Sequence, residues 1–160
     1  MSPSSIIVLV LFLIFGLAIL IPYIFDIQNT LKAMAPHNRK VMPQRVWLLL
    51  VPIVSIVWRF ALASRLSESI ELELRERNIP VKRKPIYILG MVYSTIGLAT
   101  GLLNLLKAFM PGVTIVYCTV GLINLVVFIL YWIKVSEFKN LLHMSADERA
   151  IWQADKLGGL

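Results

Sequence analysis

Residues Ile6–Phe25 read IIVLVLFLIFGLAILIPYIF, twenty positions without a charge. A run of this length can cross a hydrocarbon core of about 30 Å as a helix. It has no stable place in water. The leader MSPSS carries no Lys or Arg, the apolar stretch outlasts a signal-peptide core, and no A-x-A motif follows it. The run therefore reads as a retained crossing and not as a cleaved signal.

Three more apolar segments follow: Val46–Ala63, Ile86–Phe109 and Val113–Ile133. The chain has 160 residues, 58% of them hydrophobic, and a mean hydropathy of +0.78. A soluble domain of this size does not cover so much apolar surface. The expected fold is all-α: an integral membrane four-helix bundle, one domain over 1–160, with crossings at about 6–25, 46–63, 86–109 and 113–133. Tyr23, Trp47, Tyr131 and Trp132 lie near segment ends, where interfacial aromatics belong. Only Met110, Pro111 and Gly112 separate the third and fourth runs, which predicts an antiparallel hairpin.

The first helix can extend through Ala35, where Pro36 stops it. HNRKVMPQR makes a basic turn, and Pro43 starts the next helix. That long second helix is expected to run unbroken from Gln44 to Asn78, on the order of 50 Å, so that residues 64–78 extend into the cytoplasm. Leu66, Ile70 and Leu74 recur every four residues there. Glu71–Arg75 and Glu73–Arg77 are i,i+4 pairs in the favourable order. Pro80 ends the helix. The tail 134–160 is polar and amphipathic, with Ser145 as N-cap and Glu148 at the capping-box position of a short terminal helix.

The net charge is +7. The cations sit between apolar runs, where they set orientation and meet anionic lipid headgroups, not nucleic acid. With four crossings, one side carries ten cations and the other five, namely Lys32, Arg39, Lys40, Arg45 and Lys107. This bias puts both termini in the cytoplasm. Arg59, the one charge well inside a crossing, is expected to snorkel to the cytoplasmic face. In a rival topology the second segment enters and returns, or lies flat. Lys107 alone then stays opposite, and the charge bias becomes stronger. The length of the segment and the cost of broken backbone in lipid favour the full crossing.

Gly90, Ser94, Gly97, Gly101 and Asn104 form a stripe at spacings of 4, 3, 4 and 3. Tyr117, Gly121, Asn124 and Phe128 form another. Folding about Pro111 sets Gly101 near Gly121, Gly97 near Asn124 and Asn104 near Cys118. Small residues let helices approach closely in lipid, and Asn104 and Asn124 read as glue worth about 0.6–2 kcal/mol each. The other reading has them line a polar path. No carboxylate lies within a crossing, which argues against a proton-coupled pump.

Motifs for chemistry are missing. The two histidines, His37 and His143, make no metal spacing with the single Cys118, which reads as a packing residue. No Walker loop, G-x-S-x-G or H-E-x-x-H occurs. Glu68, Glu71, Glu73 and Glu76 read as a solvated, salt-bridged helix face. His37 near Asp26 is the one titratable pair from which a lipid-acting site could be assembled. No enzyme, metal or cofactor is expected.

Pro36, Asn38, Arg39, Pro43, Val46-Trp47-Leu48, Pro52, Trp58 and the Ser67–Glu71 stretch leading to Arg75–Arg77 carry a resemblance, joined by Tyr131-Trp132-Ile133-Lys134. Over Thr30–Ile79 the chain resembles a family of uncharacterised small bacterial multi-pass membrane proteins. Some relatives are similar but carry a GYF-like module ahead of the first crossing, consistent with a cytoplasmic N-terminus; this chain lacks the module. The resemblance implies no catalytic residue, substrate or cofactor.

The expected protein is a non-enzymatic multi-pass component of a bacterial cytoplasmic (inner) membrane: a scaffold, adaptor or accessory subunit of a larger complex. Its partners are anionic lipid headgroups and other membrane proteins or copies of itself. Arg75, Arg77, Lys82, Arg83 and Lys84 are the expected contacts. The alternative is an oligomeric channel or facilitator, with Asn104, Asn124 and Arg59 lining the path.

Overall fold

A proline ring drives the preceding residue out of the helical region. Among the described residues this is seen at Ala35 (ψ 141) before Pro36, at Met42 (ψ 134) before Pro43 and at Val51 (ψ 109) before Pro52. The computed structural model describes residues 3–79, 86–107 and 109–144. Within them the chain is helical throughout: α1 Pro3–Ala33, a 3₁₀ turn Pro36–Asn38, a 3₁₀ helix Pro43–Leu50, α2 Pro52–Glu76, α3 Tyr87–Leu106, a 3₁₀ turn Pro111–Val113 and α4 Thr114–His143.

The helix expected to run unbroken from Gln44 to Asn78 is broken at Val51–Pro52. The 3₁₀ helix leads down to this elbow, and α2 comes back from it. At the elbow Val51 N–H donates to Leu48 O at 3.2 Å, Ser55 N–H donates to Val51 O at 2.7 Å, and Pro52 has no N–H.

The returning helix brings its far end back beside the basic turn. Lys40 N–H donates to Ser69 Oγ at 2.8 Å, and Asn38 Nδ2 donates to Glu73 at 2.9 Å. Four alternating crossings would put these partners on opposite faces of a bilayer. They would also make α1 and α4 antiparallel, whereas the two run parallel. Tyr23 packs edge-on against Phe128 (centroids 4.9 Å apart), and Asp26 reaches Trp132 and Lys139. Further toward their N-termini, Gly16 and Cys118 line the same groove. Among the described residues three helical stretches are long and apolar enough to cross a membrane: Ile14–Ala33, Tyr87–Leu106 and Thr114–His143. The second apolar segment is not among them.

Helices α3 and α4 form the expected antiparallel hairpin. Tyr93 stacks on Tyr131 (5.9 Å) and lies 5.4 Å from Phe128. Helix α2 packs antiparallel on α3, with Ala63 against Gly90 and Arg59 against Gly97. Ile86 N–H donates to Ser67 Oγ at 3.4 Å.

Residues 64–76 do not project as a free rod. Leu66, Ile70 and Leu74 are fully buried, in one core with Ile24, Ile27 and Leu31 of α1 and with Val46. An apolar stripe at i,i+4 spacing must cover itself, and the C-terminal third of α1 supplies the surface. Each such side chain is worth about 1.5–3 kcal/mol outside lipid. Asn78 (φ 56) ends α2 in the left-handed conformation. Ile79 N–H then bonds Leu74 O at 2.9 Å, the bond that closes a Schellman cap. Helix α4 runs to His143, so the expected polar tail begins as its continuation. Ser145 and Glu148 lie outside the described residues.

Candidate functional site

At the shared end of α1, α2 and α4 the polar side chains form a knot. The Glu73 carboxylate accepts from Ala35 N–H (2.8 Å), Asn38 Nδ2 (2.9 Å), Arg77 Nε (2.9 Å) and Arg77 Nη2 (2.7 Å). Arg77 also donates to Leu142 O at 2.7 Å and to Ala33 O at 3.1 Å. One guanidinium thus ties the carbonyl ends of α1 and α4 to α2. Arg39 does the same for α1 alone, donating to Met34 O (2.7 and 3.0 Å) and Lys32 O (3.0 Å). Terminal carbonyls need donors, and cations suit that end of the helix dipole.

Burial alone would raise the Glu73 pKa. The hydrogen bonds from Asn38, the Ala35 N–H and Arg77 outweigh it and hold the carboxyl below the usual glutamate value. Glu76, in contact with Asn38 and with His37 Nε2 (3.0 Å), is lowered too, first by Asn38 and then by His37. The expected solvated face therefore holds a buried, fully bonded carboxylate at Glu73. His37 does not meet Asp26, which accepts from Trp132 Nε1 (2.6 Å) and Lys139 Nζ (2.7 Å). The knot binds helices together, and its carboxylates are already occupied by donors. Among the described residues no cluster of three His, Cys, Asp or Glu could hold a metal ion.

The expected contact residues separate. Arg77 is spent within the knot. Arg75 is exposed and pairs with Glu71 at 2.8 Å. Lys82, Arg83 and Lys84 lie outside the described residues.

The expected packing stripe is divided as well. Gly90 is the tightest point, since a Cβ there would lie 2.6 Å from Ala63 Cβ and 3.0 Å from Tyr131 Cε2. Ser94 is buried but bonds its own helix, donating to Gly90 O at 2.8 Å. Gly97 meets Asn124 across the hairpin, as its register requires. The close approach stops there. No neighbouring atom lies within 4 Å of a Cβ built on Gly101 or Gly121, and Asn104 is exposed.

Gly97 instead makes room for Arg59. A Cβ on it would lie 2.9 Å from Arg59 Nη1 and 3.9 Å from both amide atoms of Asn124. Gly97 is ten residues into α3, about 15 Å along its axis. Arg59 does not snorkel to the near face. Helical side chains lean toward their own N-terminus, and the N-terminus of α2 is its deep end. The guanidinium lies 5.5 Å from the Tyr93 ring. Among the described residues no carboxylate pairs with it. A cation at bilayer depth costs about 2.5–3.5 kcal/mol on insertion scales, and a cation–π contact returns about 0.5–2 kcal/mol.

Arg59 and Asn124 border a cavity of about 680 Å³ between α1 and α4, walled by Phe15, Leu20, Leu122, Leu125 and Phe128. The Asn124 Oδ1 is buried without a hydrogen-bond partner. The sequence suggested Arg59 and Asn124 together only as parts of a channel lining that also included Asn104. A cation and an amide on separate apolar helices were the available signal. No family model, curated protein or solved structure matches this chain.

Proposed function

We propose that this chain is a non-enzymatic accessory subunit or scaffold of a bacterial cytoplasmic membrane, with three crossing helices and one re-entrant hairpin. The observation that carries the subunit reading is the outer half of α3. Gly101 has no neighbour there and Asn104 is exposed, on a helix otherwise apolar enough to span. A small residue and an amide on such a face are the chemistry of helix–helix association in lipid. The occupied polar groups of the knot favour a structural role over catalysis.

The parallel course of α1 and α4 and the shared knot support an orientation with the two termini on opposite sides. The re-entrant arrangement moves Lys32, Arg39, Lys40 and Arg45 to the side already rich in cations and leaves Lys107 opposite. The positive-inside rule then assigns the knot and the C-terminus to the cytoplasm and the start of α1 to the other face.

The test is co-purification from native membranes in mild detergent. Wild-type chain is expected to carry a stoichiometric partner, or a second copy, that Asn104→Leu with Gly101→Leu loses at unchanged helicity. Retention of that partner by the double variant would sink the reading. The channel reading has Asn104, Asn124 and Arg59 line one path; Arg59 and Asn124 border one cavity, while Asn104 is exposed elsewhere on α3. It would return if proteoliposomes of the wild type conducted a solute.

A further inference from the structure

The cavity beside Arg59 has the features of a ligand site. Its volume of about 680 Å³ lies in the range of about 300–1,000 Å³ typical of small-molecule pockets. It follows α4 from Tyr117 to Phe128, about 16 Å of helix. The aromatic cluster of Tyr23, Phe128, Tyr93 and Tyr131 closes the end nearer the knot. Long apolar walls suit a hydrocarbon chain. At the closed end stand one cation, with no acidic partner among the described residues, and the Asn124 amide. Gly97 lacks the side chain that would push the guanidinium aside.

We propose that this groove binds one long-chain carboxylate of the fatty-acid class, its headgroup accepting hydrogen bonds from the Arg59 guanidinium and Asn124 Nδ2 and its chain lying along Leu20, Leu122 and Leu125. A guanidinium offers a planar fork that matches a carboxylate. One cation balances one negative charge. A phosphate monoester would bring up to two, and the excess would be buried unpaired. The inference is independent of what α3 docks against.

The test is native mass spectrometry of the delipidated full chain in detergent, titrated with palmitate, with hexadecanol or with a diacyl phosphatidylglycerol. The wild type should take up one palmitate per chain. Hexadecanol, with the same chain and no charge, should bind at least tenfold more weakly. Phosphatidylglycerol at equal concentration should not displace palmitate. Arg59→Gln should lose palmitate at least tenfold. Leu122→Trp fills the groove with Arg59 intact and should lose it as well, which keeps the test decisive if the Arg59 variant fails to fold. Equal binding of palmitate and hexadecanol, displacement by the phospholipid, or full retention in Leu122→Trp would each overturn the proposal.

Discussion

Two glutamate–arginine pairs at identical spacing do different work. Glu71–Arg75 is a 2.8 Å pair whose arginine side chain is 62% exposed and whose glutamate is 12% exposed, and i,i+4 pairs with one solvated partner contribute about 0.3–0.5 kcal/mol. Glu73–Arg77 is a 2.7 Å pair with the carboxylate 4% exposed, joined by Ala35 and Asn38 from 38 and 35 residues away. Spacing shows both pairs and cannot rank them. The ranking depends on a turn that folds back onto α2. Removing one member of a buried pair costs about 3–5 kcal/mol, so Glu73→Gln should lower stability by that amount at pH 7. The sign of the pH effect follows from a depressed folded pKa: the contribution is full above the ordinary value of 4.5 and is lost as pH falls through the folded value. Thermal melts in detergent from pH 7 to pH 3 should show wild type and Glu73→Gln converging only below 4.5. A constant gap over that range would mean that the carboxylate charge is not what matters.

At the scale of the helices, register was legible and tightness was not. A hairpin hinged on Pro111 brings Gly97 to Asn124, and those residues do meet. The same pattern equated Gly90, Gly101 and Gly121, yet only Gly90 is pressed between helices, because α2 joins α3 at that level and not further out. Gly90→Ala should therefore cost about 1–3 kcal/mol through overpacking. Gly101→Ala and Gly121→Ala should be neutral, or stabilising by up to about 1 kcal/mol from helix propensity. Unfolding of the three variants in one detergent checks this, and equal losses would show that the stripe is uniform after all. The elbow at Val51 was also written in the chain. Pro52 pushes the residue before it out of the helical region as Pro36 does at the end of the first helix, although the eighteen residues Val46–Ala63, apolar apart from Ser55 and Arg59, are long enough to suggest a crossing.

Topology is decided by the whole molecule. Charge bias permits both arrangements, since either leaves one side more basic. The basic turn on α2 and the parallel course of α1 and α4 distinguish them. In a Cys118→Ser background, single cysteines at Ser4, Lys40 and Lys107 can be probed with an impermeant maleimide on intact cells; the Lys40 side chain is exposed in the basic turn. Positions 4 and 107 should label from outside, and position 40 only after permeabilisation. Labelling of position 40 in intact cells would restore the fully crossing second segment.

The chain alone determined its solvent and its elements. Uncharged runs of about twenty residues are long enough to cross a membrane, Pro36 and Pro52 mark helix boundaries while Pro22 sits within α1, and four-residue periods show which faces must be covered. All of these are local properties, readable within a few turns. Three-dimensional packing decided that the second segment folds back against α1 and the basic turn, which carboxylate is buried and where Arg59 points. Each of those depends on contacts between residues tens of positions apart, whose energies no local pattern encodes.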